Sequence, residues 1–179
     1  MKVILACDGR DLPAFLDVAG RTVAMEGAEV VLAHVIDESF PEAWRQVASH
    51  HWPGRHADTR EAPRVQEAAR RSAKEVLDEA LALTSQWPAA IRRPVELEGN
   101  PERELVRLAL EERADLIVVG QHRLELGPHA LGRCARFVID HAPCPVLLVR
   151  DEVIRAEAAA LLGSRLNKTD GQPDRSPGR

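Results

Sequence analysis

The most chemically suggestive stretch of this sequence is a glycine-bearing loop between an apolar run and an amphipathic helix. The run is Leu116–Val119, the loop carries Gly120, Gly127 and Gly132, and apolar residues recur at helical spacing after it. Glycine lets the backbone approach a phosphate closely, and a helix N-terminus supplies free N–H groups and a partial positive charge. The pattern therefore predicts a loop that could hold an anion.

A second candidate group lies at the end of the first apolar run. Val3–Cys7 reads as a buried strand, and Ala6, Asp8 and Gly9 stand at its carboxyl end. In an open parallel sheet, ligands bind where the strand order reverses, beside the carboxyl ends of the strands. Asp8 has two interpretations: it lines such a site, or it caps the following helix and satisfies nearby loop amides.

The elements that must position these residues form a repeating strand–helix pattern. Right-handed crossovers connect parallel strands, so the pattern predicts an α/β fold: a single doubly wound domain with a five-stranded parallel sheet, order 3-2-1-4-5, and helices on both faces. The domain covers residues 1–150 with an irregular insert at 37–63, and residues 151–179 read as a short helix and a disordered tail. We predict strands at Val3–Cys7, Val30–Val35, Arg92–Leu97 (a short edge strand), Leu116–Val119 and Val146–Val149, and helices at about Asp11–Glu26, Pro63–Thr84, Pro101–Arg113 and from Leu131 to the prolines at 143 and 145.

Two segments resemble the universal stress protein family. They are ADLIVVG at 114–120 and HAPCPVLLVR at 141–150, and Gly99-Asn100-Pro101 is similar to the family's usual entry to the preceding helix. In the nucleotide-binding branch the loop reads G-x2-G-x9-G-[S/T]. Gly120 and Gly132 match its first and last glycines, whereas Arg123 and Arg133 stand at the second glycine and at the hydroxyl position, in a loop one residue shorter.

The resemblance implies that ATP or AMP is the candidate ligand. It places Asp8 against the ligand and the backbone of Val35 against adenine, although Val35 could equally be a core residue. Arg123 and Arg133 have two interpretations. They could bind phosphate through their side chains, or they could fill the phosphate pocket and close it. A short loop that contains Gly127-Pro128 favours closure.

Three histidines in the insert, His50, His51 and His56, are weak candidates for a metal site. No carboxylate or thiol lies at ligand spacing beside them, so a solvated loop is the preferred interpretation, and we name no metal or other firm cofactor. A metal- or ligand-sensing role of the Asp37–Pro63 insert is kept as a third hypothesis.

Composition limits the remaining classes of function. The net charge is −4 and aromatic residues make up 3% of the chain, which disfavours nucleic-acid binding. No apolar run approaches membrane-spanning length, and the 3 cysteines read as buried, reduced thiols, so we expect a cytoplasmic protein. The apolar edge strand Pro145–Val149 predicts a homodimer, as in the family, unless Val153–Leu162 folds back over that edge.

The sequence therefore predicts a stress-response protein that is a non-catalytic dimeric binding or regulatory module with weak or no ATP binding and an unknown protein partner. The alternative is an ATP- or AMP-binding switch that uses the crevice between strands 1 and 4. No nucleophile–base pair stands out in the sequence, so weak ATP hydrolysis is the most catalysis that we expect.

Overall fold

A five-stranded parallel sheet forms the centre of the structure, a computed structural model that describes residues 1–9, 11–37, 62–121 and 131–150. The strand order is β3-β2-β1-β4-β5, which confirms the predicted fold class and topology. In chain order the elements are β1 (Lys2–Ala6), α1 (Leu12–Thr22), β2 (Glu29–Asp37), α2 (Ala62–Leu83), β3 (Ile91–Gly99), α3 (Pro101–Glu112), β4 (Leu116–Gly120), α4 (Arg133–His141) and β5 (Val146–Val149).

Helices cover both faces of the sheet, as the continuous apolar runs predict. Alternate residues of each strand point to opposite faces, so Val3 and Leu5 of β1 pack on one side and Ile4 packs on the other. The first side also takes the apolar stripes of α1 and α2, and the second takes those of α3 and α4. Burying both faces makes the carboxyl ends of the strands the natural place for a ligand.

Helix ends decide where the loops of the site begin. The side chain of Asn100 accepts a hydrogen bond from the Arg103 N–H at 3.1 Å and caps α3, which starts at Pro101 as predicted. The predicted end of α1 at Glu26 is wrong. The helix ends at Thr22 because Val23 turns to extended backbone (φ −103, ψ 131) and buries its side chain in the core.

Two further boundaries differ from the prediction. β3 spans nine residues instead of a short strand, because it pairs with all nine residues of β2, from Glu29 opposite Ile91 to Asp37 opposite Gly99. The insert predicted at 37–63 is also shorter at both ends, because Asp37 is the last residue of β2 and Ala62 is the first residue of α2.

Several predictions fall outside the described residues. These are the short C-terminal helix and tail at 151–179, the possible cover of the β5 edge by Val153–Leu162, the histidines His50, His51 and His56, and the loop residues Arg123 and Gly127. In the part of the chain that the structure describes, no helix combines the length and apolar character that a membrane crossing would need.

Candidate functional site

A cavity of about 500 Å³ opens between the carboxyl ends of β1 and β4, where the strand order reverses. Its walls also include the end of β2 and the first turns of α3 and α4, and its size lies within the range of about 300–1,000 Å³ that is usual for small-molecule sites. We call this cavity the crevice. It is lined by Ala6, Cys7, Asp8, Ala33, His34, Val35, Asp37, Pro101, Glu102, Leu105, Val119, Gly120, Arg133, Cys134 and Ala135.

The structure brings most of the predicted ligand-binding residues to the crevice. Ala6, Asp8, Val35, Gly120 and Arg133 line it. Two predicted glycines are chain neighbours of lining residues. Gly9 follows Asp8 and has φ +78, and buried Gly132 precedes Arg133 as the N-cap residue of α4. The Asp8 side chain is exposed, and the N-cap position of α1 belongs to Asp11.

Sequence reasoning missed His34, Asp37, Glu102 and Cys134 as lining residues. The sequence did contain a signal that could have placed Glu102 at the site. Asn100-Pro101 fixes the start of α3, so Glu102 must lie in its first turn, at the same edge of the sheet as the carboxyl ends of the strands.

The end of the β1–β2 ladder leaves a stretch of backbone facing the crevice. Ladder bonds run from Glu29 N–H to Met1 C=O at 3.0 Å and from Cys7 N–H to Ala33 C=O at 2.8 Å, so odd-numbered residues of β2 face β1. The next bond would join Val35 N–H to Cys7 C=O. Instead, the ring Nδ1 of His34 donates to the Cys7 carbonyl oxygen at 2.7 Å.

Two consequences follow from the His34 bond. A carbonyl oxygen only accepts, so Nδ1 of His34 carries a proton. The phase of the ladder places the backbone N–H and C=O of Val35 on the side of β2 that faces β1, beyond the last paired residue of β1, Ala6. This N–H donor and C=O acceptor lie side by side at a fixed spacing, so together they can hydrogen-bond to the edge of a planar heterocycle.

The opposite end of the crevice is the N-terminus of α4. Gly132 carries no capping side chain, so the first-turn N–H groups receive no bond from it. The Nε of Arg133 lies 3.0 Å from Oε2 of Glu102 in an ion pair, and the Glu102 side chain is only 13% exposed. Glu102, from the first turn of α3, thus offsets the cation in the first turn of α4.

The two thiols of the crevice are not nucleophiles. Burial raises the pKa of Cys7 to about 12, with a smaller contribution from the charge of Asp8. Burial also raises the pKa of Cys134 to about 11, with Glu102 and Asp8 adding to the effect. Cysteine reacts as the thiolate, so both side chains stay neutral and inert near pH 7. The prediction of full burial holds for Cys7, whereas Cys134 and Cys144 are half-buried.

Within the described ranges, no group of three or more His, Cys, Asp or Glu side chains could hold a metal ion. The described crevice carries the carboxylates of Asp8, Asp37 and Glu102 and the guanidinium of Arg133. Asp8 and Asp37 also interact with other groups of the protein. The described lining thus combines three acidic side chains and one basic side chain with apolar residues.

Comparison with known proteins places the chain in a family. A sequence model of the universal stress protein family matches residues 1–150. Over 155 residues the chain is 30% identical to a universal stress protein of Methanocaldococcus jannaschii, covering 83% of this chain and 81% of that protein. It is 41% identical over 58 residues to one of Methanothermobacter thermautotrophicus and 39% identical over 92 residues to one of Thermus aquaticus. These two matches span 32% and 49% of this chain but only 40% and 65% of the relatives, less than two thirds of either.

Solved structures share the fold. The chain superimposes on UspA from Lactobacillus plantarum with a TM-score of 0.64 at 19% identity, covering 84% of this chain and 97% of that one. A family protein from Arabidopsis thaliana with AMP bound gives 0.56 at 16% identity, covering 84% and 91%. A universal stress protein from Archaeoglobus fulgidus in complex with dAMP gives 0.55 at 22% identity, covering 83% and 96%. With the sequence matches, these structures lead to one conclusion: the chain belongs to the universal stress protein family.

Proposed function

We propose that this protein is a non-catalytic binding module that takes an adenine mononucleotide weakly in the crevice, binds ATP poorly, and works as a homodimer through β5. The observation that carries the proposal is the backbone edge of Val35 at the end of the β1–β2 ladder, where no described residue of the first strand segment pairs with it. The similar structures that hold AMP or dAMP support the choice of ligand class.

The Val35 edge favours adenine over other bases. Adenine presents an acceptor, N1, beside a donor, the exocyclic N6 amine, and these complement a backbone N–H and C=O. Guanine presents the opposite pattern at the same edge, so both hydrogen bonds would be lost. A site that hydrogen-bonds its ligand strongly rejects an analogue that leaves those groups unpaired.

The phosphate end of the crevice is poorly equipped for ATP. Arg133 stands where the nucleotide-binding pattern has a hydroxyl, and its guanidinium is already paired with Glu102. Each phosphate of ATP would add negative charge beside the carboxylate of Glu102, which already occupies Arg133. The neutral thiols of Cys7 and Cys134 offer no nucleophile, which supports a binding role over catalysis.

Thermal unfolding with added nucleotide tests this proposal. AMP at 100 times its dissociation constant should stabilise the protein by about 2.7 kcal/mol, a shift of several degrees in Tm. GMP at the same concentration should give no shift, and ATP–Mg should give less than AMP. Asp8→Ala should remove the AMP shift, whereas Asp17→Ala, an exposed aspartate of α1 that pairs with Arg21, should keep it.

Each departure from this pattern has a definite meaning. An equal response to AMP and GMP would contradict base recognition by Val35. A larger shift with ATP–Mg than with AMP would contradict the weak-ATP proposal and favour the ATP-dependent switch. No response to any nucleotide would refute nucleotide binding and direct the search to protein partners.

The proposed dimer rests on the contrast between the two edges of the sheet. β3 carries Pro94 at its centre and charged side chains such as Glu96 and Glu98, features that protect an edge from pairing. β5 is four apolar residues long. Its odd-numbered residues bond β4, as in Ile117 N–H to Pro145 C=O at 3.1 Å and Gln121 N–H to Val149 C=O at 2.8 Å. The N–H and C=O groups of Val146 and Leu148 therefore face outward.

Sedimentation velocity of the full chain tests the dimer. Val146→Pro removes one outward N–H without removing a bond to β4, so we expect this variant to be monomeric. Val146→Thr keeps the N–H and the branched shape and should stay dimeric. A dimeric proline variant would show that the interface lies elsewhere. A monomeric parent chain would favour the alternative in which residues 153–162 cover the edge.

A further inference from the structure

Two helices direct their N-termini at the crevice, and a carboxylate of the protein lies between them. The first turns of α3, a 12-residue helix, and α4, a nine-residue helix, both line the cavity. Glu102 belongs to the first turn of α3, and its Oε2 forms an ion pair with Nε of Arg133 in the first turn of α4. Its other oxygen, Oε1, lies 3.5 Å from Nδ2 of Asn100. Both oxygens of Glu102 are thus occupied inside the protein.

The partners of Glu102 are those that a ligand phosphate would seek. Phosphates bind at helix N-termini and pair with arginine. Glu102 supplies a fixed negative charge at this place, and its side chain is largely withdrawn from solvent, whereas Arg133 is 68% exposed. The carboxylate also offsets the cost of a cation in the first turn of α4.

We propose that Glu102 is a built-in substitute for ligand phosphate, so that the crevice selects ligands by charge and prefers a nucleoside or a low-charge nucleotide to a polyphosphate. This inference rests on the proposed function, namely that the crevice binds an adenine compound. A phosphate that enters must displace Glu102 from Arg133 or lie beside it as a like charge. Either event weakens binding, and each further phosphate adds to the penalty.

The inference predicts an unusual affinity series. Where phosphates drive binding, affinity rises from adenosine through AMP to ATP. In this protein the ratio of AMP affinity to adenosine affinity should be close to one or below it, and ATP should bind more weakly than AMP. Glu102→Gln keeps the size of the side chain, removes its charge and releases Arg133. In that variant the ratio should rise by roughly tenfold, the gain expected from one charge-assisted contact.

Isothermal titration of the full chain with adenosine, AMP and ATP–Mg measures this ratio. Glu104→Gln is the matched control: it removes the same charge two residues along α3, but Glu104 pairs with Arg107 and does not line the crevice. The control should leave the ratio at its original value. Arg133→Gln added to Glu102→Gln should abolish the gain, since the released guanidinium is then missing.

The outcomes separate this inference from the proposed function. If adenosine binds and Glu102→Gln raises the ratio no more than Glu104→Gln does, the inference is overturned while the adenine site stands. A parent chain that binds ATP more tightly than adenosine also overturns it. If no adenine compound binds to any variant, the proposed function and the inference fail together.

Discussion

Replacing Gly9 by alanine should destabilise the protein well beyond the usual cost of a glycine substitution. Gly9 has φ +78, a conformation that L-residues rarely adopt, and a Cβ built there would lie 2.7 Å from Cγ2 of Val76 on α2. A branched side chain has few alternative rotamers, so Val76 cannot simply swing away. The loop that carries Asp8 and α2 must therefore move apart.

The magnitude follows from two separate terms. A left-handed backbone costs an alanine about 1 kcal/mol, and forcing a methyl group into a packed contact costs roughly 1–3 kcal/mol. We expect a total loss of about 3 kcal/mol in the free energy of unfolding, or roughly 6–12 °C in Tm for a chain of this length. Gly27→Ala isolates the first term, because Gly27 has φ +64 and no atom within 4 Å of a built Cβ.

Urea unfolding of four proteins measures the cost of the contact with Val76. The four are the parent, Gly9→Ala, Val76→Ala and the double variant. In the Val76→Ala background the contact is gone, so Gly9→Ala should cost only about 1 kcal/mol. The coupling energy of this cycle should be about 2 kcal/mol. Equal costs for Gly9→Ala and Gly27→Ala, or a cycle without coupling, would refute the reasoning from the Val76 contact.

The remaining predictions concern a helix cap, an ion pair and a buried thiol. Asn100→Ala removes the N-cap bond of α3 and should lower the free energy of unfolding in urea by about 1 kcal/mol. Lys2, followed by Arg93, lowers the pKa of the Glu112 carboxyl below its ordinary value. The stability that this carboxylate contributes is present above its unfolded pKa of about 4.3 and is lost as the pH falls through the lower folded value. Glu112→Gln should therefore weaken the acid dependence of unfolding. Cys7, 3% exposed and with its pKa raised to about 12, should resist iodoacetamide at pH 8 in the native protein and react in urea, as peptide mass spectrometry would show.

Each of these experiments has a control within the chain. Glu111→Gln lies beside Glu112 and pairs only at the surface with Arg107, so the acid dependence should stay close to that of the parent. An equal effect of the two glutamate variants would contradict the role of Lys2. Asn100→Asp keeps an acceptor at the N-cap and should retain most of the stability. Rapid labelling of Cys7 in the native state would mean that β1 opens readily at its carboxyl end.

The fold could be predicted because its signals are local. The buried runs of β1, β2, β4 and β5 are apolar on both faces, and Asn100-Pro101 marks the start of α3 without reference to the rest of the chain. Errors occurred where tertiary context overrode local pattern. Val23 leaves the helical path to fill the core, and β3 extends to nine residues because β2 offers nine partners.

The site was predictable only in part. The strand order alone places Asp8, Val35 and Gly120 at one crevice, since a reversal of strand order can occur at only one point in this sheet. His34 gave no comparable signal. An imidazole beside an apolar run is usually a residue at the edge of the core, and its bond to the Cys7 carbonyl joins residues 27 positions apart.

The amino-acid sequence by itself predicted the family, the doubly wound sheet and part of the lining of the crevice, because motif segments, periodicity and glycine placement act over a few neighbouring residues. Only the tertiary structure decided which charges meet. Glu102 and Arg133 lie on different helices, and no spacing rule along the chain relates them. Coulombic pairing depends on distance in space, and packing α3 and α4 on the same face of the sheet sets that distance.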